Sequence, residues 1–95
     1  MNVFITGGSR GIGRSIVLKF VREGHGVAFT YVGNEAKAVE VVEEAKTINP
    51  EVQVKSYRMD VKSASGVEET ADRVIDDFET VTALVNNAGI VRNNA

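Results

Sequence analysis

The chain alternates short apolar runs with longer stretches in which apolar residues recur every three or four positions. Val3-Phe4-Ile5 is a continuous apolar run, as expected for a strand buried on both faces. Between Gly11 and Glu23, residues Ile12, Ile16, Val17, Phe20 and Val21 share one helix face. Gly24 and Gly26 are expected to end that helix. Val27 to Tyr31 predicts a second strand. Asn34 is placed to cap a second helix with the stripe Ala38, Val39, Val42, Ala45 and Ile48, closed by Asn49-Pro50. Val52 to Met59 predicts a third strand. Ser65-Gly66-Val67-Glu68 fits a capping box, in which serine and glutamate bond each other's exposed backbone N–H groups. It opens a third helix with Val67, Ala71, Val74, Ile75 and Phe78 on its inner face. Ala83-Leu84-Val85 predicts a fourth strand, running into Asn86-Asn87-Ala88-Gly89.

The order is therefore βαβαβαβ. Strands separated by helices pair in parallel, with right-handed crossovers covering the sheet. This is the N-terminal half of a doubly wound α/β Rossmann sheet, with strand order 3-2-1-4. In that order the topological switch lies between strands 1 and 4, and ligands bind beyond the carboxyl ends of the strands there. The turn after strand 1 and the Asn-Asn-Ala-Gly run after strand 4 point at the same crevice.

Composition narrows the function classes. The 95 residues make one domain, residues 1–95, and 43% hydrophobic with 25% charged residues is ordinary for a globular chain. A net charge of -2 advertises no basic surface for nucleic acid or an anionic membrane. There are no cysteines, which excludes disulfides, thiolate metal sites and thiol catalysis. The single histidine, His25, stands between glycines, is expected at the surface, and makes no metal site. No apolar run approaches the ~20 residues a membrane span needs. A soluble, cytoplasmic protein is expected.

The chemistry centres on Thr6-Gly7-Gly8-Ser9-Arg10-Gly11-Ile12-Gly13. One reading is a tight turn whose glycines only permit positive φ and close packing. A second is a P-loop, since Gly8 to Ser15 nearly matches G-x-x-x-x-G-K-[ST]. There Arg14 replaces the lysine that reaches the β and γ phosphates, and a guanidinium is not interchangeable with that ammonium. A third is a dinucleotide site, in which helix N-terminal N–H groups bind a pyrophosphate and glycines let it approach. The position between a buried strand and a helix favours the third.

Three motifs taken together resemble the short-chain dehydrogenase/reductase family. They are the glycine turn, Met59-Asp60-Val61, and Leu84-Val85-Asn86-Asn87-Ala88-Gly89-Ile90. The resemblance covers essentially the whole chain in register. It implies that Gly7, Ser9, Arg10, Gly11, Ile12 and Gly13 hold the pyrophosphate and adenosine side of a nicotinamide dinucleotide. Asp60 and Val61 would border the adenine. Asn87, Ala88 and Gly89 would border the cofactor and steady the centre of the sheet. Tyr31, at the end of strand 2, joins this set.

Strand 2 decides the cofactor. An NAD site places a carboxylate just after it, accepting bonds from the ribose hydroxyls. This strand ends Thr30-Tyr31-Val32-Gly33-Asn34, with no carboxylate until Glu35. Arg10 in the turn would pair with a 2′-phosphate. The expected cofactor is NADP(H). Within the family the turn and the Asn-Asn-Ala-Gly-Ile-Val-Arg-Asn ending look most like 3-oxoacyl-(acyl carrier protein) reductases, with acetoacetyl-CoA reductases close behind. That implies reduction of a ketone such as a 3-oxoacyl thioester. Thr82 departs from the aspartate many relatives carry before this strand.

The family's serine, Tyr-x-x-x-Lys pair and further asparagine lie downstream of the Asn-Asn-Ala-Gly run. Tyr31 and Tyr57 are followed four residues on by Glu35 and Val61, so no catalytic residue is assigned. The chain is expected to be a cofactor-binding fragment, inactive alone, with strand 4 left as an open edge that invites homo-oligomerisation. The alternative is a non-catalytic dinucleotide-binding module.

Overall fold

The alternation of side chains along each strand sorts the chain into two cores. In the computed structural model, which describes residues 1–9, 11–59 and 64–86, the elements run in the order the pattern predicts. They are β1 (Asn2–Thr6), α1 (Gly11–Arg22), β2 (Gly26–Tyr31), α2 (Glu35–Ile48), β3 (Val54–Arg58), α3 (Ala64–Phe78) and β4 (Ala83–Asn86). The strands form one parallel sheet ordered β3-β2-β1-β4. Val3, Ile5, Val27, Phe29 and Tyr31 face Val17, Leu18 and Val21 of α1 and Ala38, Val41 and Ala45 of α2. Ala28 and Tyr57 face the other way, against Val74 and Phe78 of α3. With strands on either side and helices on both faces, β2 is buried along its whole length.

The ends of the elements follow local chemistry. Gly24 adopts φ 90° and ends α1. Its N–H donates to the Val21 carbonyl at 3.0 Å, and the His25 N–H donates to the Phe20 carbonyl at 3.0 Å. That pair of bonds is the Schellman arrangement, which a left-handed glycine allows. Gly26 takes no part in it and is the first residue of β2. The Asn34 side chain accepts from the Lys37 N–H at 3.1 Å, capping α2 as expected. The Asn49 N–H closes α2 on the Ala45 carbonyl at 2.9 Å.

Several helix faces are rotated from their expected positions. In α1 the buried set includes Leu18, whereas Ile12 is 70% exposed. In α2 Val41 is buried and Val39 is exposed. A three-four spacing from Ala38 runs through Val41 to Ala45, so the inner stripe passes one side of Val39. In α3 the inner line is Thr70, Val74 and Phe78, while Val67 and Ile75 are exposed. Thr70 can be buried because its hydroxyl donates to the Gly66 carbonyl at 2.8 Å. The helix begins at Ala64, so Ser65 lies inside its first turn instead of before it. His25 is half-buried against Phe20, with ring centroids 5.8 Å apart, and not fully at the surface. The short α1–β2 turn folds its imidazole back onto the helix end.

A polar cluster joins β3 to α3. The buried Tyr57 donates its phenol to the Asp77 carboxylate at 2.6 Å, with Lys55 at 3.6 Å from that carboxyl group. The Arg73 guanidinium lies 5.6 Å from the Tyr57 ring centre. Burial pushes the Tyr57 phenol well above its ordinary range, and the bond to Asp77 adds to this. The bond from Tyr57 in turn holds the Asp77 carboxyl below the usual carboxylate range. An acid depressed in the folded state stabilises above its unfolded value, about 3.9 for aspartate, and the benefit is lost as pH falls through the folded value. A phenol raised in the folded state stabilises below about 10 and loses that benefit as pH rises further. The bond therefore supports the fold between those limits. Tyr57→Phe is expected to lower the melting midpoint at pH 7, and the gap from the parent should close at pH values below the aspartate range. A gap independent of pH would contradict this account of the pair.

Candidate functional site

The turn after β1 is shaped by what its glycines permit and by what β2 offers them. Gly7 and Gly11 adopt φ of 75° and 62°, a region that side chains disfavour. The Gly7 N–H donates to the Thr30 hydroxyl at 3.0 Å. The Gly8 N–H donates to the Thr30 carbonyl at 2.9 Å. Thr30 is 2% exposed and stands near the carboxyl end of β2. It anchors the entry of the turn from the strand next door. The sequence held a signal for it, a threonine in a largely apolar buried strand, but the periodicity gave it no role.

On its open side the turn leads into the N-terminus of α1. Among the described residues nothing lies within 4 Å of where a side chain on Gly11 would begin. The first turn of α1 contains no acidic residue. Its leading N–H groups have no intrahelical acceptors, and the helix dipole makes this end attractive to an anion. Gly13 is buried and packs into the domain, Ser9 is half-buried, and the exposed Ile12 lies against solvent at the mouth of the turn. These features fit a phosphate-bearing ligand that approaches the backbone closely. Arg14, which stands where a P-loop has its lysine, is ion-paired with Glu44 of α2. That commitment removes the P-loop reading's key cation.

The switch point is also built as expected. Thr6 and Asn86 are register partners at the carboxyl ends of β1 and β4. The Thr6 hydroxyl donates to the Asn86 side-chain oxygen at 3.0 Å. The glycine turn and the start of the Asn-Asn-Ala-Gly run thus leave the sheet side by side. At the end of β3, the Met59 N–H donates to the Tyr31 carbonyl at 2.8 Å. Thr6, Met59 and Asn86 thus all stand at or just past the carboxyl ends of their strands. Tyr31 itself is buried in the core on the α1 and α2 face. Arg10, Asp60, Val61, Asn87, Ala88 and Gly89 lie outside the described residues.

Two concavities stand out among the described residues. A groove of about 500 Å³ crosses the outer side of β3 between α2 and α3, lined by residues such as Val42, Val54, Tyr57 and Arg73. It contains no residue of the glycine turn. A smaller cleft of about 280 Å³ opens off the turn itself, between Ser9, Gly11 and Arg14 on one side and Lys37, Glu40 and Val41 on the other. The larger space lacks the anion-binding backbone, so the smaller one is the better candidate. Lys37 was not expected at the site, because it belongs to the next helix and meets the turn only through the fold. Among the described residues no group of three or more histidine, cysteine, aspartate or glutamate side chains is placed to hold a metal. No described helix is long and apolar enough to cross a membrane.

Comparison with known proteins agrees with this geometry. The short chain dehydrogenase family matches residues 1–95. The chain is 43% identical over 95 residues to the 3-oxoacyl-[acyl-carrier-protein] reductase FabG of Staphylococcus epidermidis, covering 98% of this chain and 37% of that protein. Its fold is similar to that of a short-chain dehydrogenase/reductase from Serratia marcescens, with a TM-score of 0.84 and 32% identity over 90% of this chain and 34% of the other. It is also similar to an alcohol dehydrogenase from the archaeon Thermococcus sibiricus complexed with 5-hydroxy-NADP, at a TM-score of 0.79 and 29% identity. That match covers 87% of this chain and 34% of the other. The chain belongs to the short-chain dehydrogenase family. It spans 37% of the length of the curated reductase, and among curated relatives it is similar to the 3-oxoacyl-[acyl-carrier-protein] reductases.

Proposed function

We propose that this chain forms the cofactor-binding part of an NADP(H)-dependent oxidoreductase that reduces a ketone such as a 3-oxoacyl thioester. The observation that carries the reading is the glycine turn. It is tied to Thr30, opens on an α1 N-terminus free of acids, and sits beside a β2 that ends without a carboxylate. Gly7, Ser9, Arg10, Gly11, Ile12 and Gly13 bind the pyrophosphate and adenosine side. Asp60 and Val61 border the adenine, and Asn87, Ala88 and Gly89 border the rest of the cofactor. Bound NADPH supplies the hydride. The preference for the phosphorylated cofactor comes from a chain end at β2 that offers no charge against a 2′-phosphate. The likeness to FabG of Staphylococcus epidermidis supports the thioester class and a place in fatty acid biosynthesis.

The protein works as a soluble, cytoplasmic homo-oligomer. The test is NADPH oxidation with acetoacetyl-CoA by the protein that carries this chain. Turnover with NADPH well ahead of NADH is expected. Tight NADPH binding without turnover on any 3-oxoacyl thioester would favour the non-catalytic binding module instead.

A further inference from the structure

β3 is an outer strand of the sheet, and its backbone is paired on one side only. The Gln53 carbonyl accepts from the Val27 N–H at 2.9 Å, and the Met59 N–H donates to the Tyr31 carbonyl at 2.8 Å. In a parallel ladder the N–H and carbonyl of one residue point to the same side, and those of the next point to the other. Gln53, Lys55, Tyr57 and Met59 therefore face β2, and the backbone groups of Val54 and Ser56 face outward. Among the described residues nothing pairs with them. A groove of about 500 Å³ runs along this free edge, with α2 as one wall and α3 as the other. The walls differ in chemistry. On α2, Val39 is 47% exposed and Val42 is partly buried, and the charges of Glu43 and Lys46 beside them cancel. On the α3 side, Lys55 and Arg73 stand with a single carboxylate, Asp77, which already accepts the Tyr57 phenol and pairs with Lys55. Arg73 forms no ion pair among the described residues and lies over the Tyr57 ring. That side of the groove has an excess of positive charge.

We infer that this groove binds an extended segment of a partner protein, which adds a strand to β3 and in which apolar residues alternate with acidic ones. An exposed strand edge is a template for such pairing, and main-chain hydrogen bonds to Val54 and Ser56 would hold the segment in place. Side chains of an added strand point alternately to the two faces of the sheet. One set meets Val39 and Val42 on the α2 wall, and an apolar residue fits there. The other set meets Arg73 on the α3 wall, and a carboxylate fits there. A second copy of this chain would bring its own Lys55 and Arg73 against the same cations, so charge complementarity selects an acidic partner instead. The groove takes in Val54 to Tyr57 and no residue of the glycine turn, so the dinucleotide reading can fail without affecting it.

The experiment titrates the protein that carries this chain into a short fluorescein-labelled peptide of alternating valine and glutamate, read by fluorescence anisotropy. Saturable binding is expected, and the same peptide with lysine in place of glutamate should bind at least about ten-fold more weakly. Methylating alternate backbone nitrogens of the peptide should abolish binding when they face β3 and not when they face away. Ser56→Pro removes the outward N–H and leaves the bonds to β2, and proline is tolerated on an edge strand. It is expected to weaken binding by roughly ten-fold or more with the fold retained, as checked by the melting midpoint. Arg73→Gln, which leaves the strand edge intact, should weaken it by roughly three- to five-fold. Absence of saturable binding to the parent overturns the inference. So does binding that survives methylation on either face, or that is unchanged in Arg73→Gln and in folded Ser56→Pro. Self-association of the parent that Ser56→Pro abolishes assigns the edge to a second copy and overturns it as well.

Discussion

Phe29→Ala is expected to cost about 3–5 kcal/mol of folding stability, the usual range for deleting a fully buried phenylalanine side chain. Phe29 is 0% exposed and is the largest of the fully buried side chains. It projects from the middle of β2 into the core shared with α1 and α2. Its strand is hydrogen-bonded on both sides, so the backbone cannot move inward to fill the space. Natural domains are stable by only about 5–15 kcal/mol in total. This single truncation therefore removes a large share, and it does so next to the glycine turn. Denaturant unfolding of parent and variant at matched conditions measures it. A loss below about 1 kcal/mol would mean that the core relaxes around the cavity, contrary to the packing described.

The second large effect lies across the same contact. A β-carbon added at Gly8 would fall 2.7 Å from the Phe29 Cβ and 2.8 Å from its Cγ and Cδ2. The first of these atoms is fixed by the backbone of β2, and rotating the ring does not move it. The turn cannot retreat either, because Gly8 and Gly7 both donate to Thr30. Gly8→Ala is therefore expected to destabilise by about 1–3 kcal/mol through overpacking. It should also weaken cofactor binding, since any relief displaces the turn. The two residues touch, so their effects should not add. Once the Phe29 ring is gone, the methyl at position 8 meets fewer atoms, and the double variant should be more stable than the sum of the singles. Strict additivity would show that the clash is absorbed elsewhere.

These two residues also mark what the sequence revealed and what it hid. The apolar run at Val3 to Ile5, the spacing along α1 and the cap at Asn34 were legible because each is a local pattern of period or capping chemistry. Given four strands separated by helices, parallel pairing followed from the connection rules, and 3-2-1-4 was the natural expectation for a Rossmann half. The convergence of the glycine turn and the Asn86 strand end followed from that order. Contacts between residues far apart in sequence were not legible. Gly8 reads as one more glycine of a flexible turn until Phe29 is seen behind it. Thr30 reads as a strand residue until its hydroxyl and carbonyl are seen to hold the turn. Lys37 reads as a solvated helix charge until the cleft places it opposite Ser9. The rotated faces of α2 and α3 have a similar cause. Val39 and Val41, or Val74 and Ile75, are equally apolar, and only the position of the sheet selects which is buried.

The central claim is that the turn from Gly7 to Gly13 holds the phosphorylated adenosine side of a nicotinamide dinucleotide. The most direct measurement is an amide NMR titration of the chain with 2′,5′-ADP and, separately, with 5′-AMP. These ligands carry the adenosine side without the nicotinamide, so the result does not depend on residues that perform hydride transfer. The account predicts saturable shifts at Gly7, Ser9, Ile12, Gly13 and Lys37, with 2′,5′-ADP binding the tighter of the two. Shifts confined to the β3 groove around Val54 and Tyr57, or no saturable shift at the glycine turn with either ligand, would contradict it.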